Sequence, residues 1–170
     1  SSRMESGQVD IPRRLEGGVS GQVFACWVDP DTPAGKWPAY TLKMIRKLRR
    51  VFGADSDRIA LALKGSEISR INESGRIAAV IGVEGGHAIG ADIGLLRDIH
   101  YEGVRCLTLT WNNNNEIADS CEGEDRWGGL SPFGRKVVSA MDSLGMVADL
   151  SHCSDRTFYD VLEAASNPVL

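Results

Sequence analysis

Two side chains in this 170-residue sequence stand where α/β proteins do chemistry, Glu84 and His152. Glu84 closes the apolar run Ile77-Ala78-Ala79-Val80-Ile81-Gly82-Val83 and precedes Gly85-Gly86-His87, while His152 ends Val147-Ala148-Asp149-Leu150-Ser151 in the same manner. An apolar run without alternation reads as a strand covered on both faces, and such strands belong to parallel sheets. The carboxyl ends of parallel strands carry the active sites of open doubly wound sheets and of (β/α)8 barrels alike. A carboxylate and an imidazole are ligand types of a catalytic zinc, which takes about three protein ligands and keeps a position open. Two ligands are a partial set. Each also has a plainer reading, Glu84 as a cap or an ion-pair partner and His152 as a packed histidine.

The other reactive groups are weaker candidates. His87, in the loop beside the glycines, could point into a pocket but is more safely placed behind the ligands; His100 falls on an expected helix with a surface or packed role. Gly85-Gly86 would suit a phosphate-cradling turn, yet the flanking spacing matches neither G-x-G-x-x-G nor G-x-x-x-x-G-K-[ST]. There is no G-x-S-x-G elbow, and Cys153 shows no independent sign of thiolate activation. Cys26, Cys106, Cys121 and Cys153 form no C-x-x-C pair, so they read as reduced, packed thiols.

The elements that must position these groups follow from the pattern. Gln22 to Val28 reads as a buried strand, and Leu42, Ile45, Leu48 and Phe52 mark a helix whose basic residues from Lys43 to Arg50 form a solvated face. Asp57 to Gly75 holds a short extended piece and a helix closing at Gly75. Asp92 caps a helix ending near Gly103, and Val104 to Thr110 is the next strand. Ser131 is an N-cap with Pro132 at the first helical position, and Gly145 ends that helix. Met146 to Leu150 is a strand, Ser154 caps a helix, and Pro168-Val169-Leu170 reads as a strand just begun. Strands near 22, 77, 104, 146 and 168 separated by helical pattern describe an α/β protein with a parallel sheet, open or barrel.

Composition narrows the functions. A net charge of -4 lacks the basic footprint of nucleic-acid binding, and no apolar run approaches the ~18 residues of a membrane span. The acidic loop Glu122 to Asp125 reads as solvated. The sequence opens Ser1-Ser2-Arg3 without an apolar leader core, which favours a cytoplasmic location if the protein is bacterial.

Several motifs in register carry a resemblance. Ile81-Gly82-Val83-Glu84-Gly85-Gly86, Val104 to Thr110, Asn115-Glu116-Ile117-Ala118-Asp119-Ser120, Leu130-Ser131-Pro132-Phe133-Gly134 and Leu144 to His152, with the earlier Val9-Asp10-Ile11-Pro12 and Gly17-Gly18-Val19, come in the order and spacing of the membrane (renal) dipeptidase family. The sequence resembles these zinc metallopeptidases over nearly its whole length. The resemblance implies a (β/α)8 TIM barrel with two Zn2+ ions at the carboxyl ends of its strands, Glu84 bridging both and His152 holding one. It implies dipeptide hydrolysis by a metal-activated bridging water, and a homodimer. It assigns no further catalytic residue within positions 1–170.

The departures from the family pattern bound this reading. The family's His-x-Asp pair precedes the Val-Asp-Ile-Pro region, and its next histidine, arginine and aspartate lie past Leu170. Positions 1–170 are therefore expected to form a single partial catalytic barrel domain, about four to five βα units of eight. Some members have a substrate-facing histidine where this chain has Trp111, so Trp111 and His87 are the substrate-pocket candidates, with Asn113 another residue that could replace the lost hydrogen bond. Two other readings stay open at this point. One is a related metal-dependent amidohydrolase acting on small amides or lactams, and the other is a non-catalytic scaffold that lacks ligands.

Overall fold

The computed structural model describes residues 3–170; Ser1 and Ser2, on which the leader expectation partly rests, lie outside the described residues. The element order is α1 (Ile11–Glu16), β1 (Gly21–Trp27), α2 (Trp37–Ala54), β2 (Ile59–Leu61), α3 (Gly65–Glu73), β3 (Ile77–Glu84), α4 (Ile93–Tyr101), β4 (Val104–Thr108), α5 (Pro132–Leu144), β5 (Val147–Asp149) and α6 (Asp155–Ala164). Every strand pair is parallel. β3 is the spine: β1 runs along one edge from Gly21 opposite Ala78 to Trp27 opposite Glu84. The opposite edge is shared. β2 pairs with Ile77 to Ala79, then β4 takes over along Ile81 to Glu84, with a register shift between Ile81 and Gly82. β5 pairs with β4 on its outer side.

Alternation along β3 separates two faces. Ile77, Ala79, Ile81 and Val83 are at most 1% exposed and belong to the main core, which Leu96, Val137, Met141 and Val161 of the helices complete. Burying an aliphatic side chain of this size contributes about 1.5–3 kcal/mol, so this face anchors the helices to the sheet. On β1, the T-shaped pair of Phe24 with Phe52, centroids 4.9 Å apart, ties the strand to α2. The inner face differs. Its amino-terminal end is covered by α3, whose Ile71 packs with Ala62 and with Ala78 of β3. Above that, Val23 and Val147 remain 45% and 38% exposed, leaving an open concave surface that rises to Glu84.

The helix ends follow the expected chemistry. Ser131 Oγ accepts from Gly134 N at 2.8 Å, Asp92 Oδ1 accepts from Gly94 N at 2.7 Å, and Ser154 Oγ accepts from Thr157 N at 3.2 Å. Gly145 ends α5 in the left-handed conformation at φ 67°, which costs glycine nothing. The basic face of α2 is solvated, with Arg46 and Arg49 both paired to Glu102.

Three local features depart from the sequence expectation. The extended piece before α3 is a true sheet member, β2, too short for a periodicity to show. α1 was not anticipated although Asp10 caps it, accepting from Arg13 N at 2.8 Å. Pro168 to Leu170 is not a regular strand, but Leu170 already bonds both ways to β5, donating to Ala148 O and accepting from Leu150 N. Among the described residues no helix is long and apolar enough to cross a membrane.

Candidate functional site

The carboxyl edge of the sheet is one polar row. Trp27, Glu84, Thr108 and Asp149 are successive Cα partners across β1, β3, β4 and β5. Parallel pairing in register means that their side chains rise from the same face. Glu84, Thr108 and Asp149 rim a cleft of about 280 Å³ whose floor includes Ala25, Gly82 and Cys106. Gly82 sits in that floor because a Cβ there would meet Val23 Cγ1 at 2.9 Å.

Asp149 organises the turn that delivers His152. Its Oδ2 accepts from Thr108 Oγ1 at 2.6 Å, and its Oδ1 accepts from Ser151 N and Ser151 Oγ at 2.9 and 2.8 Å. His152 then takes φ 67°, the only described non-glycine residue in the left-handed region. The long segment after β4 straps this turn from outside: Cys121 N donates to His152 O at 2.9 Å, and Ser154 N donates to Asp119 O at 3.1 Å. Asp119 is itself fixed, buried with Trp127 N and Gly129 N donating to its Oδ2. The result is that His152 Nε2 stands 3.3 Å from Glu84 Oε1, both side chains 31% exposed.

Glu84 is held from the other side by its glycines. Gly85 N and Gly86 N donate to Thr108 O and Leu109 O, continuing the ladder past the strand, so neither amide is free to bind a phosphate. Gly85 needs φ 91°, and a Cβ on it would strike the His87 ring at 2.3 Å. His87 is buried behind the site, not in the cleft: Nε2 lies 2.8 Å from Val28 O, its ring packs edge-on against Trp37, and Nδ1 has no hydrogen-bond partner. Burial pushes its pKa below the ordinary 6.5 despite the opposing pull of the Val28 carbonyl and Asp29, so the ring is neutral at neutral pH.

Trp111 stands beside His152, ring centroids 6.4 Å apart, and 5.0 Å from Trp27 on its other side. Asn113 donates to Asn114 O within the same loop. Cys153 is pushed up to about 11 mainly by burial, and Cys26 and Cys106 to about 11 and about 12, so none of the three is a ready thiolate. Sequence reasoning missed Thr108 and Asp149. The signal was a polar residue at the last inward position of each apolar strand.

A carboxylate oxygen and an imidazole nitrogen, both of types that can ligate a metal, meet at 3.3 Å and open to the same cleft. Among the described residues no group of three or more histidine, cysteine, aspartate or glutamate side chains gathers. Glu84 and His152 fit a metal as two of its ligands and do not complete its shell.

An α/β protein with a parallel sheet and its polar groups at the carboxyl edge is the class that fold and site define. A family profile described as membrane dipeptidase (peptidase family M19) matches residues 1–170, and the chain belongs to that family. It is 40% identical over 172 residues to dipeptidase verJ of Clonostachys rogersoniana and 33% identical over 174 residues to dipeptidase tcpJ of Claviceps purpurea. Those alignments take in 95% and 97% of this chain but 44% and 41% of the relatives, so the chain spans less than half the length of the curated relatives it matches. Among solved structures it is similar to a metallo peptidase from Rhodobacter sphaeroides liganded with a phosphinate mimic of the dipeptide L-Ala-D-Ala, with TM-score 0.87 and 26% identity over 98% of this chain and 56% of that one. An amidohydrolase from Pseudomonas aeruginosa matches with TM-score 0.83 and 25% identity over 94% of this chain and 46% of that one. The chain covers part of the barrel-like fold of these proteins.

Proposed function

We propose that the protein carrying these residues is a zinc-dependent dipeptidase, and that positions 1–170 are one partial catalytic barrel domain of it. The observation that carries the reading is the approach of His152 Nε2 to Glu84 Oε1, 3.3 Å, at the carboxyl edge of a parallel sheet in a member of the M19 family. Glu84 and His152 would hold zinc, the two carboxylate oxygens of Glu84 allowing it to bridge two ions. Zinc, when bound, supplies Lewis acidity toward the peptide carbonyl and lowers the pKa of water. The rest of the work done by these residues is positioning. Asp149 and Thr108 fix the turn that aims His152, and Gly85 and Gly86 lock the end of β3 so that Glu84 projects into the cleft. The substrate proposed is a dipeptide, and the protein is proposed to form a homodimer.

The test is metal content and dipeptide hydrolysis by the full-length protein. Zinc should copurify, a chelator should stop turnover, and Glu84→Gln should abolish turnover and lower metal content. Turnover retained by Glu84→Gln, or by protein stripped of divalent metal, overturns the reading. The likeness to the Pseudomonas aeruginosa amidohydrolase favours a second reading, hydrolysis of other small amides. A panel separates the two, because a dipeptidase requires both a free amino and a free carboxyl terminus.

A further inference from the structure

We propose that the groove between α4 and α5 receives the acidic loop 122–125 of a second copy of this chain, and that a two-fold exchange of these loops forms the homodimer interface. The inference rests on the proposed homodimer and is independent of the dipeptide chemistry. The groove has a volume of about 760 Å³ and lies between two helices on the side of the sheet away from the cleft. Ile93, Phe133 and Ala140, each half-buried against the core, supply its apolar floor. Arg97, Arg135 and Lys136 are exposed along it. Arg97 and Lys136 have no ion-pair partner among the described residues. Arg135 comes only to 3.9 Å from Asp160, a carboxylate already taken by Leu130 N and Arg156. Asp92, the acid that also lines the groove, is engaged as the cap of α4.

The loop carries the complementary charge on a fixed base. Glu122, Glu124 and Asp125 are exposed and have no ion-pair partner among the described residues. Glu122 N donates to Ser120 Oγ at 3.2 Å, Asn114 Nδ2 donates to Glu124 O, and Arg126 N and Trp127 N donate to the Asp119 carboxylate. A loop already held in this way loses little freedom on docking. It is kept out of the groove of its own chain. Cys121 N bonds His152 O, and Asp119 O accepts from Ser154 N and Thr157 Oγ1, which hold the loop on the α6 flank of α5, whereas the groove is on the α4 flank. Both patches nevertheless lie at the same end of the molecule, because α4 and α5 begin, and the loop departs, beyond the carboxyl edge of the sheet. An isologous contact requires this, since a two-fold axis sends the loop of each copy to the groove of the other. Trp127, next to the loop, is exposed with Nε1 bonded to Asn115 O at 2.8 Å, and its ring is an apolar anchor for the floor. With a net charge of -4, two copies of the chain repel on average, so a contact between them needs local attraction of this kind.

The test is the oligomeric state of the full-length protein, read by sedimentation over a concentration series. Arg97→Glu with Lys136→Glu reverses the groove, and Glu122→Lys with Glu124→Lys reverses the loop; all four side chains are exposed. Each double variant alone sets like charge against like at both contacts, and its dimer Kd should rise about hundredfold or more. Mixed in equal amounts, the two variants should form a heterodimer close to the affinity of the parent, because both contacts again join opposite charges. That rescue also shows that both variants fold. The dimer of the parent should weaken as salt is raised. A monomeric parent protein removes the homodimer and this proposal with it. A dimer retained by either double variant, or lost in both and not rescued by mixing, overturns the loop exchange while leaving a homodimer to form through another surface. Dipeptide turnover is not a readout here, so none of these outcomes bears on the dipeptidase chemistry.

Discussion

The backbone at His152 offers a sharp test of how the site is built. A residue bearing Cβ pays about 1–2 kcal/mol in the left-handed region, and His152 occupies it at φ 67°. The strap demands that conformation, because Cys121 N bonds His152 O on one side while Cys153 N bonds Leu150 O and Ser154 N bonds Asp119 O on the other. His152→Ala and His152→Gly remove the same imidazole, so the difference between them isolates the backbone. Glycine recovers the left-handed penalty but gives back about 0.4–1 kcal/mol through the freedom of its unfolded chain, leaving the His152→Gly protein more stable than His152→Ala by roughly 0.5–1 kcal/mol. The assay is urea denaturation of the metal-free full-length proteins, with His152→Asn expected between the two because asparagine tolerates this region. If His152→Ala proves as stable as His152→Gly, the turn relaxes when the imidazole is lost, and the strap does not impose the geometry that aims it at Glu84.

Three further outcomes follow from the packing. Gly86→Ala places a Cβ 2.5 Å from Leu109 O and 2.4 Å from Ile117 Cδ1, and this overpacking against fixed backbone should cost about 1–3 kcal/mol in a denaturant titration. Ser131→Ala removes the acceptor for Gly134 N and the donor to Glu116 O, and a loss of about 1 kcal/mol is expected by the same measurement. His87 is held neutral by burial, so as pH falls below 6.5 the unfolded chain takes up a proton that the folded chain refuses, and its share of stability is lost in that direction. Denaturation midpoints of the parent protein should therefore fall more between pH 7 and pH 5 than those of His87→Gln, and equal slopes would show that His87 protonates freely in the fold.

The parts of the site that were legible in the sequence are those that local pattern reports. An unbroken apolar run from Ile77 to Val83 places Glu84 at a strand end, and the same logic places His152 after β5. Caps at Ser131, Asp92 and Ser154 were readable because a hydroxyl or carboxylate before an apolar stripe has few other uses. Asp149 was passed over because it interrupts an apolar run of only a few residues, where two-residue alternation is barely defined.

By itself, the sequence determined the alternation of strand and helix, the parallel sheet and the two positions at its carboxyl edge, because burial and capping act over a few neighbouring residues. Tertiary structure alone decided that Glu84 and His152 meet, that His87 sits behind them against Val28, and that Trp27 joins Trp111. These are contacts between segments far apart in the chain. They depend on inter-strand register, on the shift after Ile81, and on a loop whose hydrogen bonds force one histidine into a left-handed turn, none of which a periodicity encodes.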